Sequence, residues 1–200
     1  MKEKKKIYIL LTDTGTLFTR MIKAYTKEPF NHASLAFDED LHEVYSFGRK
    51  YESNPFLGGF VKENMLSPLF LDERRDTKCA VYCCEVGHAA YERIRQTVNE
   101  MERNESKYKY NMLGLLAFVF NMKLKRKHAY FCSQFVSEML LSGGVSLADK
   151  CPEFTTPGDL GRSEQSKLLY TGSLREYPPL SLRFDEPIAA DADPITVQTS

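Results

Sequence analysis

One cysteine lies where the sequence predicts the first turn of an apolar-faced helix. Cys132 stands in Tyr130-Phe-Cys-Ser-Gln-Phe-Val136, and the apolar residues from there to 141 have helical spacing before two glycines end the pattern. The free amides and the dipole at a helix N-terminus stabilise a thiolate, which is the form of cysteine that attacks a carbonyl. The backbone N–H of Cys132 is also suited to donate to an oxyanion. The simpler alternative is that Cys132 is an inert core residue.

A cysteine nucleophile needs an imidazole to take its proton, and the chain contains four histidines. His32 stands at the head of an apolar strand pattern and is the preferred candidate. His128 is its rival, because it precedes Cys132 by only four residues. His42 lies beside a predicted turn and His88 begins a polar helix surface, so both are expected to face solvent.

A third group orients the imidazole in a site of this kind. A tight turn at 38–40 would make a hairpin of the two strands that flank it, and this register places Ser46 opposite His32. Ser46 is then expected to accept a hydrogen bond from the ring, and Glu43 falls on the opposite face. A slip of one residue would separate Ser46 from His32, so the third member depends on the register.

The elements that must position these residues are strands and helices in irregular succession. Apolar patterning predicts strands at 5–12, 31–37, 43–47 and 78–86, with one or two more within 167–177. It predicts helices that end at 27 and that span 87–104, 111–121 and 132–141, with a further helical turn from 156. Pro and Gly residues in 49–68 predict an irregular surface segment there.

Composition favours one folded domain. The chain has 200 residues, of which 42% are hydrophobic, and its formal net charge is zero, so no overall field attracts nucleic acid. We expect this domain to span 1–184 and an acidic, aperiodic tail to span 185–200. The most apolar stretch, 112–120, is too short to cross a bilayer, and the apolar run after the basic N-terminus is too short for a secretory signal. These features predict a cytoplasmic protein without an integral membrane segment.

The cysteines do not form a recognisable metal or disulfide pattern. There are five, three of them in Cys79-Ala-Val-Tyr-Cys-Cys84, with neither an even disulfide-like spacing nor a Cys-x-x-Cys pair. Reduced thiols are the simplest interpretation. We therefore predict no metal site, and the chemistry considered for Cys132 requires no cofactor.

Two distant segments together resemble a known family. His32 lies in Asn31-His-Ala-Ser-Leu-Ala-Phe37, which is followed by Glu43-Val-Tyr-Ser-Phe-Gly48, and Cys132 follows His32 after about 100 residues. This order resembles the circularly permuted papain-like proteins, which are the YiiX/YycO-like relatives of NlpC cell-wall peptidases and of lecithin:retinol acyltransferase. The segment Tyr108-Lys-Tyr-Asn-Met-Leu-Gly114 resembles the Tyr/Gly stretch that precedes their nucleophile helix.

The resemblance implies an α+β, papain-like (NlpC-type) fold, circularly permuted, with a small antiparallel sheet packed against the nucleophile helix. It implies Cys132 as nucleophile, His32 as base and Tyr110 as a group that helps to hold the oxyanion. The chain departs from many relatives in one respect. They carry a carboxylate or a second histidine on the second hairpin strand, where this chain has Ser46. A serine orients an imidazole but does not stabilise its cation by charge.

Three functions are compatible with these residues. The first is a cysteine hydrolase that cleaves a small peptide-like or lipid-amide substrate through a thioester acyl-enzyme. The second is an acyltransferase that passes the same acyl group to an amine or alcohol. The third is a binding module of the same fold without turnover, which Ser46 favours. The basic run 123–127 marks either a partner or phosphate contact or an ordinary solvated loop. The sequence predicts no oligomeric state.

Overall fold

The computed structural model describes residues 4–13, 27–51, 54–71, 76–111, 113–114, 122–124 and 126–182. Within these ranges the strands are β1 (Lys4–Asp13), β2 (His32–Ala36), β3 (Val44–Tyr51), β4 (Asn54–Glu63), β5 (Lys78–Gly87), β6 (Lys109–Tyr110), β7 (Ala129–Tyr130) and β8 (Lys167–Ser173). The α-helices are α1 (Pro68–Leu71), α2 (His88–Arg103), α3 (Cys132–Ser142), α4 (Pro157–Gly161) and α5 (Pro178–Ser181). Short 3-10 helices lie at Glu105–Lys107, Pro152–Phe154 and Leu174–Glu176.

Six strands form one antiparallel sheet in the order β4-β3-β2-β1-β5-β8. Strands β6 and β7 form a separate parallel pair. The described chain is therefore a mixed helix-and-sheet protein, which confirms the predicted α+β class with an antiparallel sheet.

β1 lies near the centre of the sheet because its apolar run buries side chains on both faces. Ile7, Ile9 and Leu11 belong to the core cluster on one face, and Tyr8 and Leu10 belong to the cluster on the other. Alternate side chains of a strand point to opposite faces, so an unbroken apolar run requires cover on both sides. Helices α2 and α3 contribute to the first cluster, and α1 and α5 contribute to the second.

The core beneath α3 is largely aromatic. Phe47 of β3 is fully buried, and its ring lies 5.9 Å from Phe60, 5.0 Å from Tyr130 and 5.3 Å from Phe135, measured between centroids. Edge-on and tilted ring pairs stabilise a core beyond the area that they bury. Because Phe135 belongs to the first turns of α3, these contacts hold the beginning of that helix against the sheet.

The segment 49–68, predicted to be irregular, contains β4, and that prediction is wrong. Glycines weaken a strand but are tolerated where another backbone approaches closely. A Cβ on Gly58 would lie 2.8 Å from the carbonyl oxygen of Gly48 and 2.9 Å from Cβ of Tyr110. Glycine at 58 is therefore required for β4 to pair with β3 while Tyr110 packs upon it.

The β2–β3 hairpin has a longer turn than predicted. Its register pairs Leu35 with Tyr45, which is shifted by two residues from the pairing that a turn at 38–40 would give. Asp38 stabilises the longer turn, because its carboxylate accepts the N–H groups of His42 and Glu43 at 2.8 and 2.7 Å. A shift of two keeps every side chain on its predicted face but changes its neighbour across the hairpin.

Of the other predicted elements, some lie within the described residues and can be compared with the structure, and some do not. Those for β1, β2, β5, α2 and α3 agree with the observed bounds to within one residue. The predicted helix that ends at 27, the predicted helix at 111–121 and the predicted tail at 185–200 lie almost wholly outside the described residues. In the part of the chain that the structure describes, no helix combines the length and apolarity needed to cross a membrane.

The substitution Phe47→Ala should lower the free energy of unfolding by about 3–5 kcal/mol, because it leaves a cavity beneath α3. Urea denaturation followed by circular dichroism measures this loss. Leu168→Ala removes a side chain that is 48% exposed on β8 and should change stability by less than about 0.5 kcal/mol. Equal losses in the two variants would contradict the packing described.

Candidate active site

The first residues of β2 and α3 meet in the fold. His32 begins β2, Cys132 begins α3, and α3 packs against β2 and β3. The His32 ring hydrogen-bonds the Cys132 side chain. Cys132 is 6% exposed and the His32 side chain is 12% exposed, so water has little access to their contact. The structure thus brings together the two residues that the sequence singled out as nucleophile and base.

The Cys132 thiol is surrounded by hydrogen-bond donors. Burial by itself raises the pKa of this thiol, since a charged sulfur loses hydration. The hydrogen bond and the positive charge of His32 act against burial, as do hydrogen bonds from the backbone N–H groups of Ala33 and Ser133. Their combined effect places the pKa of Cys132 below its ordinary value of 9.0. The environment therefore favours the thiolate, which is the reactive form.

The first turn of α3 is fixed by its own contacts. The carbonyl oxygen of Phe131 accepts the first helical hydrogen bond from Phe135 at 2.9 Å, and the Phe131 N–H donates to Oε1 of Gln134 at 3.4 Å. The Ser133 hydroxyl donates to the backbone oxygen of Thr155 at 2.7 Å. These bonds hold the turn that carries the thiol, so its position does not depend on His32 alone.

Glu63, the last residue of β4, is the acidic member of the site. Its Oε1 lies 2.7 Å from Nε2 of His32. The same oxygen accepts a hydrogen bond from the Ser46 hydroxyl at 2.7 Å, and Oε2 accepts one from the Ser34 hydroxyl at 2.6 Å. The Glu63 side chain is only 7% exposed. Contacts with two serines and one histidine therefore offset the free-energy cost of burying this carboxylate.

Glu63 and His32 perturb each other's protonation. Burial raises the pKa of Glu63, but the His32 charge and the three hydrogen bonds bring it below its ordinary value of 4.5. Burial lowers the pKa of His32, but the Glu63 charge and the hydrogen bond to Cys132 raise it well above 6.5. Because Glu63 occupies Nε2, Nδ1 is the ring nitrogen left to exchange a proton with the thiol. The three side chains form an acid–imidazole–thiol series.

Ser46 contacts the imidazole through Glu63, whereas the sequence predicted a direct hydrogen bond between Ser46 and His32. Its hydroxyl donates to Glu63, and Glu63 in turn contacts His32. The longer hairpin turn is the reason, because the shifted register moves Ser46 along the strand relative to His32 while both keep the same face. The orienting contact on His32 that the structure describes is made by a carboxylate.

Glu63 was missed because the segment that carries it was predicted to be irregular. The residues that lead to it, Phe60, Val61, Lys62 and Glu63, do not alternate between apolar and polar, so the local sequence offers no clear strand pattern there. Pairing this strand with β3 sets Glu63 opposite Val44, two residues from Ser46 and therefore on the same face.

Tyr110, which the resemblance implied as a group that helps to hold the oxyanion, lies close enough to Cys132 for the thiolate charge to act on its phenol. It belongs to β6, pairs with Tyr130 of β7, and thereby lies alongside the chain that enters α3. Burial and the negative charge of Cys132 raise the pKa of the Tyr110 phenol well above 10.0. The phenol is consequently protonated at neutral pH and is able to donate a hydrogen bond.

The other histidines lie elsewhere. His128 is exposed, and its ring packs edge-on against Tyr108. The His42 side chain is 54% exposed and contacts Asp38. The side chain of His88 is likewise 54% exposed, at the start of α2. The rival base His128 therefore makes a contact away from the sulfur, while His32 makes the contact with Cys132.

One cluster among the described residues has metal-ligand spacing, namely Asp38, Asp40 and His42 at the β2–β3 turn. Two of its three members are exposed, and exposed acidic groups often cluster without an ion. Asp38 already accepts the backbone N–H groups of the turn. The hairpin turn accounts for this cluster.

Comparison of the chain with protein-family models and with curated proteins finds no match in either. The support for a function is therefore the geometry of Cys132, His32 and Glu63.

The perturbed thiol predicts the pH dependence of alkylation by iodoacetamide. Because the pKa of Cys132 is lowered from 9.0, the midpoint of its alkylation rate should lie below pH 9.0. In His32→Ala the cation is lost while burial remains, so the midpoint should rise. Mass spectrometry of tryptic peptides measures Cys132 separately from the other cysteines, with exposed Cys151 as an internal reference.

His128→Ala is the matched control for this experiment and should leave the alkylation of Cys132 unchanged. An unchanged midpoint in His32→Ala, or a shifted one in His128→Ala, would contradict the assignment of His32 as the partner of the thiol.

Glu63→Gln should lower the free energy of unfolding by about 1–3 kcal/mol, since it weakens a buried charged hydrogen bond. The depressed pKa of Glu63 contributes stability above pH 4.5 that is lost as the pH falls. The raised pKa of His32 contributes stability that is complete below pH 6.5 and fades as the pH rises through its folded value. The difference in the free energy of unfolding between Glu63→Gln and wild type should therefore be largest between pH 4.5 and pH 6.5. Urea denaturation at a series of pH values measures this difference.

Glu85→Gln is the control for charge removal, because Glu85 pairs with Lys4 on the exposed surface. It should leave stability unchanged at all of these pH values. A pH-independent difference between Glu63→Gln and wild type would mean that the buried ion pair is not the source of the loss.

Proposed function

We propose that the protein is a cysteine hydrolase that cleaves an amide or peptide-like bond through a thioester acyl-enzyme. Cys132 is the nucleophile, His32 the base and Glu63 the carboxylate that holds the imidazole. The observation that carries this proposal is the buried His32 ring, which contacts Cys132 on one side and Glu63 at 2.7 Å on the other. Nucleophile, base and orienting group in this series are the arrangement that covalent catalysis requires.

In the proposed reaction the Cys132 thiolate attacks the substrate carbonyl carbon and forms a C–S bond. The charge that develops on the carbonyl oxygen is stabilised by the backbone N–H of Cys132 and by the Tyr110 hydroxyl. The tetrahedral adduct collapses as the C–N bond breaks, and His32 gives its proton to the departing amine. His32 then takes a proton from water, whose oxygen attacks the thioester and releases the carboxylic acid and the thiolate.

Glu63 supports turnover against the alternative of an inactive binding module. That alternative was favoured by a serine where relatives carry a charged group, but Glu63 supplies a negative charge beside Nε2 of His32. A buried ion pair is weak evidence for stability, because desolvation offsets most of the attraction. Perturbed carboxyl, imidazole and thiol groups in one contact series are more typical of a catalytic site.

We further propose that the fold is a permuted papain-like one. In its favour, the nucleophile begins a helix packed on an antiparallel sheet, and the strand with the base precedes that helix in the chain. All five cysteines are free thiols, which supports our proposal of a cytoplasmic location, because reducing compartments keep thiols in this state. We expect the substrate to be a small peptide-like or lipid-amide molecule.

Acyl-enzyme trapping tests the proposal without knowledge of the substrate. The protein is incubated with p-nitrophenyl acetate and examined by intact mass and peptide mapping. We expect acetylation of Cys132 that hydroxylamine reverses and that is absent in Cys132→Ala. His32→Ala should slow acetylation by a factor of roughly 10²–10⁴, as expected for loss of general acid–base catalysis. Tyr110→Phe should slow acetylation but leave alkylation by iodoacetamide unchanged, because alkylation forms no oxyanion.

Three further outcomes decide between functions. If Cys132 alkylates rapidly but is never acetylated, or if His32→Ala is acetylated as fast as wild type, the hydrolase proposal fails. Release of the acyl group only when an amine or alcohol is added would identify the protein as an acyltransferase, which uses the same residues up to the acyl-enzyme.

A further inference from the structure

The chain that connects β6 to β7 begins and ends near the residues that lead into Cys132. The Lys109 N–H donates to the His128 oxygen and the Asn111 N–H donates to the Tyr130 oxygen, both at 2.9 Å. The connection between these strands therefore begins and ends next to the residues that lead into Cys132. Its last part, Met122-Lys-Leu-Lys-Arg-Lys127, is called the basic–apolar segment below.

Large apolar side chains are exposed on this connection. Met122 is 64% exposed, Leu124 is 38% exposed, and Leu113 near the start of the connection is 55% exposed. Eight large hydrophobic side chains are exposed among the described residues, and three of the eight belong to this connection. Single exposed apolar residues are ordinary, but several that are exposed on one connection favour a surface that binds a partner.

Positive charge is interleaved with these apolar residues. Four of the five residues in 123–127 are Lys or Arg, although the whole chain has a net charge of zero. Lys123, Arg126 and Lys127 are exposed, and Lys125 lies outside the described residues. Lys123 is held at 3.8 Å from the buried carboxylate of Glu153, with its side chain still 53% exposed. The segment itself contains no acidic residue.

We propose that the basic–apolar segment docks the protein on a bilayer surface that carries anionic lipid headgroups. Interfacial binding combines apolar side chains that enter the acyl boundary with Lys and Arg that meet the headgroups. Met122 and Leu124 supply the first, and Lys123, Arg126 and Lys127 supply the second. Binding of a nucleic acid would account for the Lys and Arg residues but not for exposed Met122 and Leu124. The segment also has no aromatic side chain for stacking on bases.

Vesicle flotation of the full chain tests this inference. The protein should float with phosphatidylcholine vesicles that contain phosphatidylglycerol and not with phosphatidylcholine alone, and added salt should weaken binding. Arg126→Gln with Lys127→Gln should weaken partitioning by about ten-fold or more, because each basic residue near an anionic surface contributes roughly five-fold. Met122→Ser with Leu124→Ser should also weaken it several-fold.

A matched control lies at the far edge of the sheet. Lys167→Gln with Leu168→Ser changes the same residue types on β8, where Leu168 is 48% exposed, and should leave flotation unchanged. Alkylation of Cys132 should be unchanged in every variant, which confirms that each one is folded.

Three results would overturn the inference. They are absence of flotation in wild type, undiminished flotation when Met122 and Leu124 are replaced, and equal loss in the β8 control. Binding to a nucleic acid oligomer in place of vesicles would likewise reject the bilayer in favour of a polyanion. None of these results touches the thiol chemistry, which acyl-enzyme trapping tests separately.

Discussion

Glu63 and His32 face each other at 2.7 Å with little solvent around either side chain. Taking a carboxylate and an imidazolium out of water costs several kcal/mol per ion unless hydrogen bonds and opposite charge replace the lost hydration. Ser34, Ser46 and the Cys132 side chain provide that replacement. The pair thus requires neighbouring strands β2, β3 and β4 and the first residue of α3 to converge on one place.

The same strands must build the core on their other face. Along β3, Ser46 points to the carboxylate while Phe47 is buried among aromatic rings, and along β4, Glu63 belongs to the site while Phe60 packs against Phe135. Because side chains alternate with a period of two, a slip of one residue would place phenylalanines at the imidazole and polar groups in the core. The packing of α3 and the geometry of the ion pair therefore specify one common register.

The elements that could be predicted from the sequence are those with the longest apolar or periodic runs. The apolar run of β1 and the periodic faces of α2 and α3 are long enough to identify from sequence, and the pairing of Cys132 with His32 followed from residue type and the family resemblance. The hairpin register did not, since it depends on Asp38 capping two amides of its turn. Glu63 was missed because Gly58 and Gly59 are typical of a break between strands, and the sequence does not reveal that Tyr110 packs on Gly58.

The hydrogen bonds to Glu63 also bear on how the site would turn over. A carboxylate beside an imidazole raises the pKa of the ring, and a ring that holds its proton too firmly is a poor acid toward a leaving amine. Ser46 donates to the Glu63 oxygen that faces His32 and Ser34 donates to the other oxygen. Both hydrogen bonds lower the basicity of the carboxylate, which limits how strongly Glu63 retains charge on His32. In the proposed reaction, the two serines that hydrogen-bond Glu63 would thereby set the balance between forming the thiolate and releasing the product.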